Sequence, residues 1–319
     1  MRKAIATVAL SGTLPEKLEA IARAGFAAVE IFADDLEAFP GSARDVRRLT
    51  DALDLEVVLL QPLRNYVGAP AERRAGANES ARRLLENINQ LGCRLLLACS
   101  ATDAATSPEP AAQIEDLRRL ADLAQQHGCA VAFEALAWGK YVNRLSQAWD
   151  RVRAAAHPHL GVMLDSFHVL AQGEGAREIM AIPADKLYFI QMADAAARPA
   201  PTMPVDQWSR HHRCFPGKGT LAVAAFAAAA RRAGYQGVWS LEIFNDRYRQ
   251  SAAGVGGRGR FCVFTVVAAA GRGPGLTRCP RLSPLLIKLF FIGLFRLKPV
   301  TPPQRRTAEH RVKISRGRC

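Results

Sequence analysis

Polar side chains end four consecutive apolar segments of the chain. They are Glu134, Asp165, Gln191 and Glu242. If the segments are neighbouring parallel strands, these oxygen atoms meet on one side of the sheet. Each acid taken alone could instead cap a helix or pair with an arginine, but four in succession favour a metal site. Without a cation, three close carboxylates repel one another and take up protons. Three carboxylates and one amide oxygen, with no thiolate or imidazole, suit a hard ion such as Mg²⁺ or Mn²⁺ better than Zn²⁺.

A histidine, His168, follows Asp165 by three residues in Leu-Asp-Ser-Phe-His. If a helix begins after Asp165, this spacing puts the imidazole on the same side as the carboxylate. An imidazole beside a metal, but not bound to it, is well placed to move a proton. The alternatives are a group that supports a ligand and a histidine at the surface. We predict that His168 is the catalytic proton-transfer group.

Basic residues follow two of the apolar segments and indicate an anionic substrate. Arg64 and Arg210 are the arginines that we predict to bind it, because a guanidinium pairs with carboxylate or phosphate through two hydrogen bonds. Glu30 ends another apolar segment, where it would bond to the substrate or support an arginine. Gly217 and Gly219 could cradle a phosphate, but we prefer a tight turn before the next helix.

Short apolar segments alternate with longer amphipathic ones over residues 1–250. The apolar segments are Ala4–Leu10, Ala28–Phe32, Glu56–Gln61, Arg94–Ser100, Ala130–Ala135, Leu160–Asp165, Leu187–Met192 and Val238–Phe244. Segments of this kind are typical of strands buried on both faces of a parallel sheet. Eight such strands with helices between them predict an α/β fold, a (β/α)8 TIM barrel with its site at the carboxyl ends of the strands. A doubly wound sheet is the alternative, but no GxGxxG follows the first strand.

The positive charge of the chain is concentrated at its carboxyl end. The formal net charge is +14, and residues 251–319 carry +13 of it, from 14 Lys and Arg against one Glu. Residues 1–250 are therefore nearly neutral, so we predict no nucleic-acid partner and reject the endonuclease interpretation that the total charge invites. The composition, 49% hydrophobic and 23% charged residues, excludes general disorder.

The composition changes so sharply after residue 250 that we predict two parts. Residues 1–250 form the catalytic barrel, and residues 251–319 form an atypical tail rich in Gly, Pro and Arg. We interpret the tail as disordered or as an off-frame reading of a GC-rich gene, which leaves the eighth barrel helix missing or replaced. The apolar stretch Leu282–Phe295 is too short to span a bilayer comfortably, so we expect no membrane contact. The alternative is an interfacial helix that binds anionic lipid, because basic residues flank the stretch.

The cysteines and the amino terminus indicate a cytoplasmic protein. Seven cysteines are scattered without a CxxC pair, as expected of reduced thiols that fill the core. The start Met-Arg-Lys-Ala-Ile shows no export signal. The sequence does not decide whether the chain forms a homo-oligomer in which a second copy covers the gap left by the eighth helix.

Five segments carry a resemblance to a known family. They are Phe-Glu-Ala-Leu-Ala-Trp-Gly, Leu-Asp-Ser-Phe-His, Gln-Met-Ala-Asp, Trp-Ser-Arg-His-His-Arg-Cys-Phe-Pro-Gly and Ser-Leu-Glu-Ile-Phe-Asn-Asp, in that order. They resemble the xylose-isomerase-like barrels and, within these, are similar to the bacterial 3-dehydroshikimate dehydratases of quinate and shikimate catabolism. The resemblance runs from about residue 3 to Arg249. Gln191 stands where the wider superfamily often has histidine, which points to the dehydratases.

The resemblance implies a lyase that eliminates water from 3-dehydroshikimate to give protocatechuate. It implies a divalent cofactor, Mg²⁺, Mn²⁺ or Co²⁺, with His168 as base and Arg64 or Arg210 on the ring carboxylate. A sugar or hydroxy-ketoacid isomerase or epimerase would use the same metal and the same kind of proton shuttle. An inactive truncated homologue is a further alternative, because the family often continues into the eighth helix and a second, dioxygenase-like domain, whereas this chain departs from that pattern soon after Glu242.

Overall fold

A computed structural model describes residues 2–250, which contain ten strands. They are β1 (Lys3–Ala6), β2 (Ala28–Phe32), β3 (Glu56–Leu63), β4 (Leu95–Cys99), β5 (Ala130–Glu134), β6 (Leu160–Asp165), β7 (Leu187–Met192), β8 (Asp194–Ala195), β9 (Arg213–Cys214) and β10 (Trp239–Leu241). Eight of them close into a parallel barrel in the order β1-β10-β7-β6-β5-β4-β3-β2. The remaining two, β8 and β9, form a small antiparallel pair.

Helices connect the barrel strands, and a last short helix follows β10. They are α1 (Leu14–Arg23), α2 (Ala33–Glu37), α3 (Ala43–Ala52), α4 (Ala71–Leu91), α5 (Pro110–Gln126), α6 (Leu145–Ala155), α7 (Ser166–Ala171), α8 (Ala176–Met180), α9 (Val205–His211), α10 (Val223–Arg232) and α11 (Asp246–Gln250). The start of α1 shows how the sequence sets a boundary. The Glu16 carboxylate accepts hydrogen bonds from the Thr13 backbone N–H and hydroxyl, both at 2.9 Å, and Pro15 fits the first turn.

The predicted α/β barrel is confirmed, and each of its strands overlaps a predicted segment. The first strand is shorter than predicted, because the Thr7 hydroxyl accepts a hydrogen bond from the Phe32 backbone N–H at 3.0 Å and the chain makes a 3-10 turn over Thr7–Ala9. The last strand is also shorter. After Leu241 the chain turns towards β9, where the Phe244 carbonyl accepts a hydrogen bond from the Arg213 N–H at 3.1 Å.

Apolar side chains from the strands fill both faces of the barrel wall. One cluster holds residues in or next to every barrel strand, among them Ala28, Leu59, Phe189 and Val238. A larger cluster contains the side chains between the strands and the helices. Burial on both faces explains why the strands read as nearly continuous apolar runs.

A buried carboxylate organises the loop between β3 and α4, which begins with Arg64. Asp116, on α5, accepts hydrogen bonds from the Gly68 backbone N–H at 2.7 Å and from Arg74 Nη2 at 2.6 Å. Arg74 also donates to the carbonyl oxygens of Tyr66 and Ala69. The loop is thereby tied to two helices at once, which fixes its path along the rim of the barrel.

Several predictions about the carboxyl end lie outside the described residues. They concern the tail over 251–319, its disordered or off-frame character and the missing or replaced eighth helix. Within residues 2–250, no helix is long and apolar enough to cross a membrane. Cys93, Cys99, Cys129 and Cys214 are free and buried, in line with the predicted reduced thiols.

Replacing Asp116 by alanine should lower the free energy of unfolding by about 2 kcal/mol or more, because the buried Gly68 N–H and the Arg74 guanidinium lose their acceptor. The neighbouring Glu115 is the matched control. Its side chain is half-buried on the same helix and forms ion pairs with the exposed Arg118 and Arg119, so Glu115→Ala should cost less than about 1 kcal/mol. Urea denaturation of both variants measures the difference, and equal losses would contradict the role given to Asp116.

Candidate active site

A cavity of about 510 Å³ opens at the carboxyl end of the barrel strands. Its lining includes Cys99, Glu134, His168 and Glu242, each at or just beyond the end of a strand. Because functional side chains of (β/α)8 barrels lie at this end, the cavity is the candidate active site.

The alternation of side chains along each strand places the polar residues inside the barrel. Glu134 lies two residues after Ala132, and Gln191 two residues after Phe189, and both apolar residues belong to the inner cluster. With a strand period of two, Glu134 and Gln191 therefore face the same interior. In the strand register, Asp165 is directly opposite Gln191, so neighbouring strands bring these two side chains side by side.

The imidazole of His168 lies next to two of the predicted metal ligands. Its Nε2 atom is 3.6 Å from Asp165 Oδ2 and 3.8 Å from Glu134 Oε1. The Ala137 backbone N–H faces Nδ1 at 3.2 Å, and Arg213 Nη2 faces Nε2 at 3.2 Å. A neutral imidazole accepts a hydrogen bond at only one of its two nitrogens, so only one of these contacts is a hydrogen bond in a given tautomer.

The imidazole is neutral at ordinary pH. Burial lowers the pKa of His168 to about 3, with the Arg213 charge acting in the same direction and Asp165 opposing it. Only 4% of the residue is exposed. A neutral imidazole has one nitrogen that can accept a proton, and the Asp165 and Glu134 carboxylates beside Nε2 would stabilise the imidazolium that forms.

A buried arginine, Arg213, connects the acidic residues to one another. Its Nη1 atom donates to Asp165 Oδ2 at 2.6 Å and to Glu242 Oε2 at 3.1 Å, and its Nε and Nη2 atoms contact the Ser209 hydroxyl. The guanidinium lies over the rings of Phe167 and Phe244, at 4.7 and 5.1 Å from their centroids. With 1% of its surface exposed, Arg213 is a permanent positive charge inside the site.

Glu30, predicted to bind substrate, is fully buried and is not among the residues that line the cavity. Its Oε2 atom accepts hydrogen bonds from Gln191 Nε2 at 2.6 Å and Gln61 Nε2 at 2.9 Å. Burial, and then the charge of Glu242, raise the pKa of Glu30 to about 8, so it is mostly protonated at neutral pH. The structure therefore gives Glu30 a contact with Gln191 in place of the predicted support of an arginine.

Arg64 and Arg210 both line the cavity, and both are exposed at its mouth. The Cζ atom of Arg64 lies 5.6 Å from the centroid of the Phe32 ring, and that of Arg210 lies 5.6 Å from the Trp138 centroid. These contacts restrict each side chain while leaving its charge accessible to an anion entering the cavity.

The buried acids need more positive charge than the chain provides. Burial, Asp165 and Glu242 together raise the pKa of Glu134 well above its usual range, and burial raises that of Glu242 to about 7 despite the opposing charge of Arg213. Glu134, Asp165 and Glu242 carry three negative charges when ionised, and Arg213 supplies one positive charge. A divalent cation would supply the other two.

Unpaired oxygen atoms also fit a cation. Within the described part of the chain, Glu134 Oε1 and Gln191 Oε1 are buried without a hydrogen-bond partner. Glu134, Asp165 and His168 offer ligand atoms that all lie within 4.8 Å of one another. Glu134 and Asp165 can thus hold a divalent metal, and His168, predicted to lie beside the metal without binding it, is close enough to both carboxylates to be a third ligand.

Sequence reasoning missed three residues of the site. Arg213 was not singled out over Arg210, and the only signal that sets it apart is the apolar Cys-Phe pair that follows it. Cys99, assigned to the core as filler, lines the cavity and donates its thiol hydrogen to Glu134 Oε2 at 3.4 Å. Gln61 was taken only as the end of a strand.

Comparisons with known proteins relate the chain to enzymes. Residues 18–258 match the family model of the xylose isomerase-like TIM barrel. The 3-dehydroshikimate dehydratase of Pseudomonas aeruginosa is 50% identical over 249 residues, and that of Pseudomonas putida is 47% identical. Each match covers 78% of this chain but 39% of the relative, so the chain spans about two fifths of these proteins.

A solved structure also resembles this chain. It is described as a xylose isomerase-like TIM barrel/4-hydroxyphenylpyruvate dioxygenase fusion protein, and it superposes with a TM-score of 0.74 and 46% identity. The superposition covers 77% of this chain and 39% of that one. Together with the closed barrel of eight parallel strands, the match of the family model over most of the chain confirms the resemblance seen in the sequence. The chain belongs to the xylose isomerase-like TIM barrel family.

Proposed function

We propose that the chain is a lyase that removes water from 3-dehydroshikimate to form protocatechuate, a step of quinate and shikimate catabolism. The observation that carries this proposal is the position of His168, a buried neutral imidazole within 4 Å of two carboxylates that can hold a divalent cation. The names of the relatives that are 50% and 47% identical support it.

The arginines at the mouth bind the substrate in this proposal. Arg64 or Arg210 forms paired hydrogen bonds with the ring carboxylate, since a planar guanidinium matches a carboxylate in geometry and charge. The ring contacts with Phe32 and Trp138 reduce the side-chain entropy that is lost on binding. The substrate ring is thereby directed towards His168, deeper in the cavity.

Glu134, Asp165, Gln191 and Glu242 hold the metal ion, for which Mg²⁺, Mn²⁺ and Co²⁺ are the candidates. When bound, such an ion supplies a Lewis acid that makes the C–H bond next to a ketone more acidic. Neighbouring residues fix the ligand oxygens. The Cys99 thiol occupies Glu134 Oε2 and leaves Oε1 free, and the bond from Gln191 Nε2 to Glu30 turns the amide so that its oxygen faces away from Glu30.

His168 moves the proton. Its neutral imidazole accepts a proton from the carbon beside the ketone, and it returns that proton to the hydroxyl group that leaves as water. One C–H bond and one C–O bond break, a C=C bond forms, and tautomerisation of the product ring completes the aromatic system. Burial of His168 keeps bulk water from competing for the proton.

The purified full-length chain should form protocatechuate from 3-dehydroshikimate when Mn²⁺, Mg²⁺ or Co²⁺ is added, and chelation should abolish this activity. The aromatic absorbance of the product measures turnover directly. An isomerase or epimerase of the same barrel family would instead interconvert sugars or hydroxy-ketoacids and leave 3-dehydroshikimate unchanged. Unchanged 3-dehydroshikimate would overturn the proposed reaction. Equal activity with and without the chelator would overturn the proposed metal dependence.

His168→Ala should reduce kcat by about 10²- to 10⁴-fold, the usual contribution of a general acid–base group. Mn²⁺ binding, followed by titration calorimetry, should persist, because the carboxylate and amide oxygens remain. His127→Ala, at the end of a helix and outside the cavity lining, is the control and should keep full activity. Loss of Mn²⁺ binding would make His168 a ligand, and unimpaired turnover would remove its role in proton transfer.

Arg210→Met and Arg64→Met test binding of the carboxylate. Loss of a charge-assisted hydrogen bond should raise KM by roughly 10- to 100-fold for the arginine that holds the carboxylate, with a smaller change in kcat. Arg177→Met is the matched control, because the Arg177 side chain is 93% exposed and lies outside the cavity lining. Unchanged KM values in both cavity variants would show that the substrate carboxylate binds elsewhere.

A further inference from the structure

The chain leaves the barrel after β7 and returns to it through the small β8–β9 pair. Asp194 lies opposite Cys214, and Ala195 lies opposite Arg213. The excursion between the two strands contains α9, which brings Ser209 and Arg210 to the cavity. The geometry of this region therefore decides where several cavity-lining side chains lie.

The carboxylate of Asp194 is buried, with 1% of the residue exposed, and accepts four backbone hydrogen bonds. Its Oδ2 atom accepts from the N–H groups of Gly217 at 2.9 Å and Gly219 at 3.0 Å. Its Oδ1 atom accepts from Leu221 N–H at 3.0 Å and Ala195 N–H at 2.8 Å. No salt bridge to Asp194 is formed within residues 2–250, so these amides replace a cation as the partners of the buried charge.

The Pro-Gly-Lys-Gly turn is shaped around this carboxylate. A Cβ atom on Gly219 would overlap both the Ala195 carbonyl oxygen and Asp194 Oδ1, so no larger residue fits there. Gly217 has φ +81°, a conformation that glycine adopts without strain. The tight turn that we preferred over a phosphate site is therefore present. Its backbone N–H groups, which could have bound a phosphate, donate to the Asp194 carboxylate instead.

The backbone of Arg213 is held by the segment that follows β10. The Arg213 N–H donates to the Phe244 carbonyl at 3.1 Å, and Asn245 Nδ2 donates to the Arg213 carbonyl at 2.7 Å. After Arg213, the chain passes through Cys214 and enters the turn that Asp194 clamps. The hydrogen bond from Gly217 N–H to Asp194 thus anchors the chain four residues after Arg213, whose guanidinium bridges Asp165 and Glu242. Without Asp194, the loop would lose this anchor.

We propose that Asp194 is a positioning residue, which fixes the 215–221 turn and thereby holds the Arg213 guanidinium between Asp165 and Glu242. Asp194 acts through Arg213 and touches neither substrate nor metal. The kinetic part of its test rests on the proposed function, whereas hydrogen exchange and Mn²⁺ binding do not require turnover.

Hydrogen exchange tests the clamp itself. In the wild-type chain, the amides of Gly217, Gly219 and Leu221 should be protected. Asp194→Asn places an NH₂ group where two of the N–H donors need an acceptor, so exchange of these amides should accelerate by at least about tenfold. Asp185→Asn, an exposed acid in the turn before β7, is the control and should leave them unchanged. Unprotected amides in the wild type, or equal rates in the Asp194→Asn and wild-type chains, would overturn the proposal.

A double-mutant cycle with Arg213→Lys tests whether Asp194 acts through Arg213. Asp194→Asn should lower kcat/KM and weaken Mn²⁺ binding, each by about fivefold or more, when Arg213 is present, and by less than about twofold in the Arg213→Lys background. A purely structural role would lower Tm and give additive effects, which would overturn the positioning role. If the wild type does not dehydrate 3-dehydroshikimate, the proposed function fails, and the Mn²⁺ cycle still decides this inference.

A milder variant covers the case in which Asp194→Asn does not fold. Gly217→Ala keeps the carboxylate and meets no atom within 4 Å, but it strains the positive φ of the turn. It should accelerate exchange at Gly219 and Leu221 and weaken Mn²⁺ binding in the same direction as Asp194→Asn, with smaller changes. A folded Gly217→Ala chain with wild-type exchange and wild-type Mn²⁺ affinity would count against the clamp.

Discussion

Mutual repulsion of buried carboxyl groups at one end of the barrel is the constraint on which the site depends. Glu30, Glu134, Asp165 and Glu242 are each at most 5% exposed, and the closed barrel brings them near enough for their charges to raise one another's pKa values. Two responses are visible in the chain. Arg213 contributes a permanent positive charge between two of the acids, and Glu30 has a pKa of about 8, which removes its negative charge at neutral pH. The remaining imbalance is what a divalent cation would neutralise.

Buried acids outside the site have a different task, which is to hold loops in place. Asp116 ties down the loop after β3 through the Gly68 N–H and Arg74, and Asp194 ties down the turn after β9 through backbone N–H groups. Glu174 likewise accepts hydrogen bonds from the first residues of α6, at 2.6 Å for the Leu145 N–H. Because loops on a barrel rim lack a sheet or bundle to pair with, such fixed acceptors give them the precision that a cavity needs.

The sequence predicted the parts that follow from strand periodicity. Apolar runs predicted the eight barrel strands, and the polar residues at the ends of the last four runs predicted Glu134, Asp165, Gln191 and Glu242 as a group at one end of the barrel. The roles of these residues as metal ligands, and of His168 in proton transfer, stay predictions. Arg213 could not be distinguished from Arg210, because which arginine turns inward depends on β8–β9 pairing between residues almost twenty positions apart. The contact of Glu30 with Gln191 depends on side-chain packing across the barrel, which no local pattern encodes.

The clamped turn after β9 has a consequence for the choice of ligand. Many (β/α)8 barrels bind the phosphate of their substrates with free backbone amides after the seventh and eighth strands. In this chain the amides of Gly217, Gly219 and Leu221 are already bonded to Asp194, so a phosphate could bind them only by displacing a buried negative charge. In the proposed function, recognition of the anion is therefore left to the guanidinium groups of Arg64 and Arg210 at the mouth, and the backbone amides of this turn take no part in it.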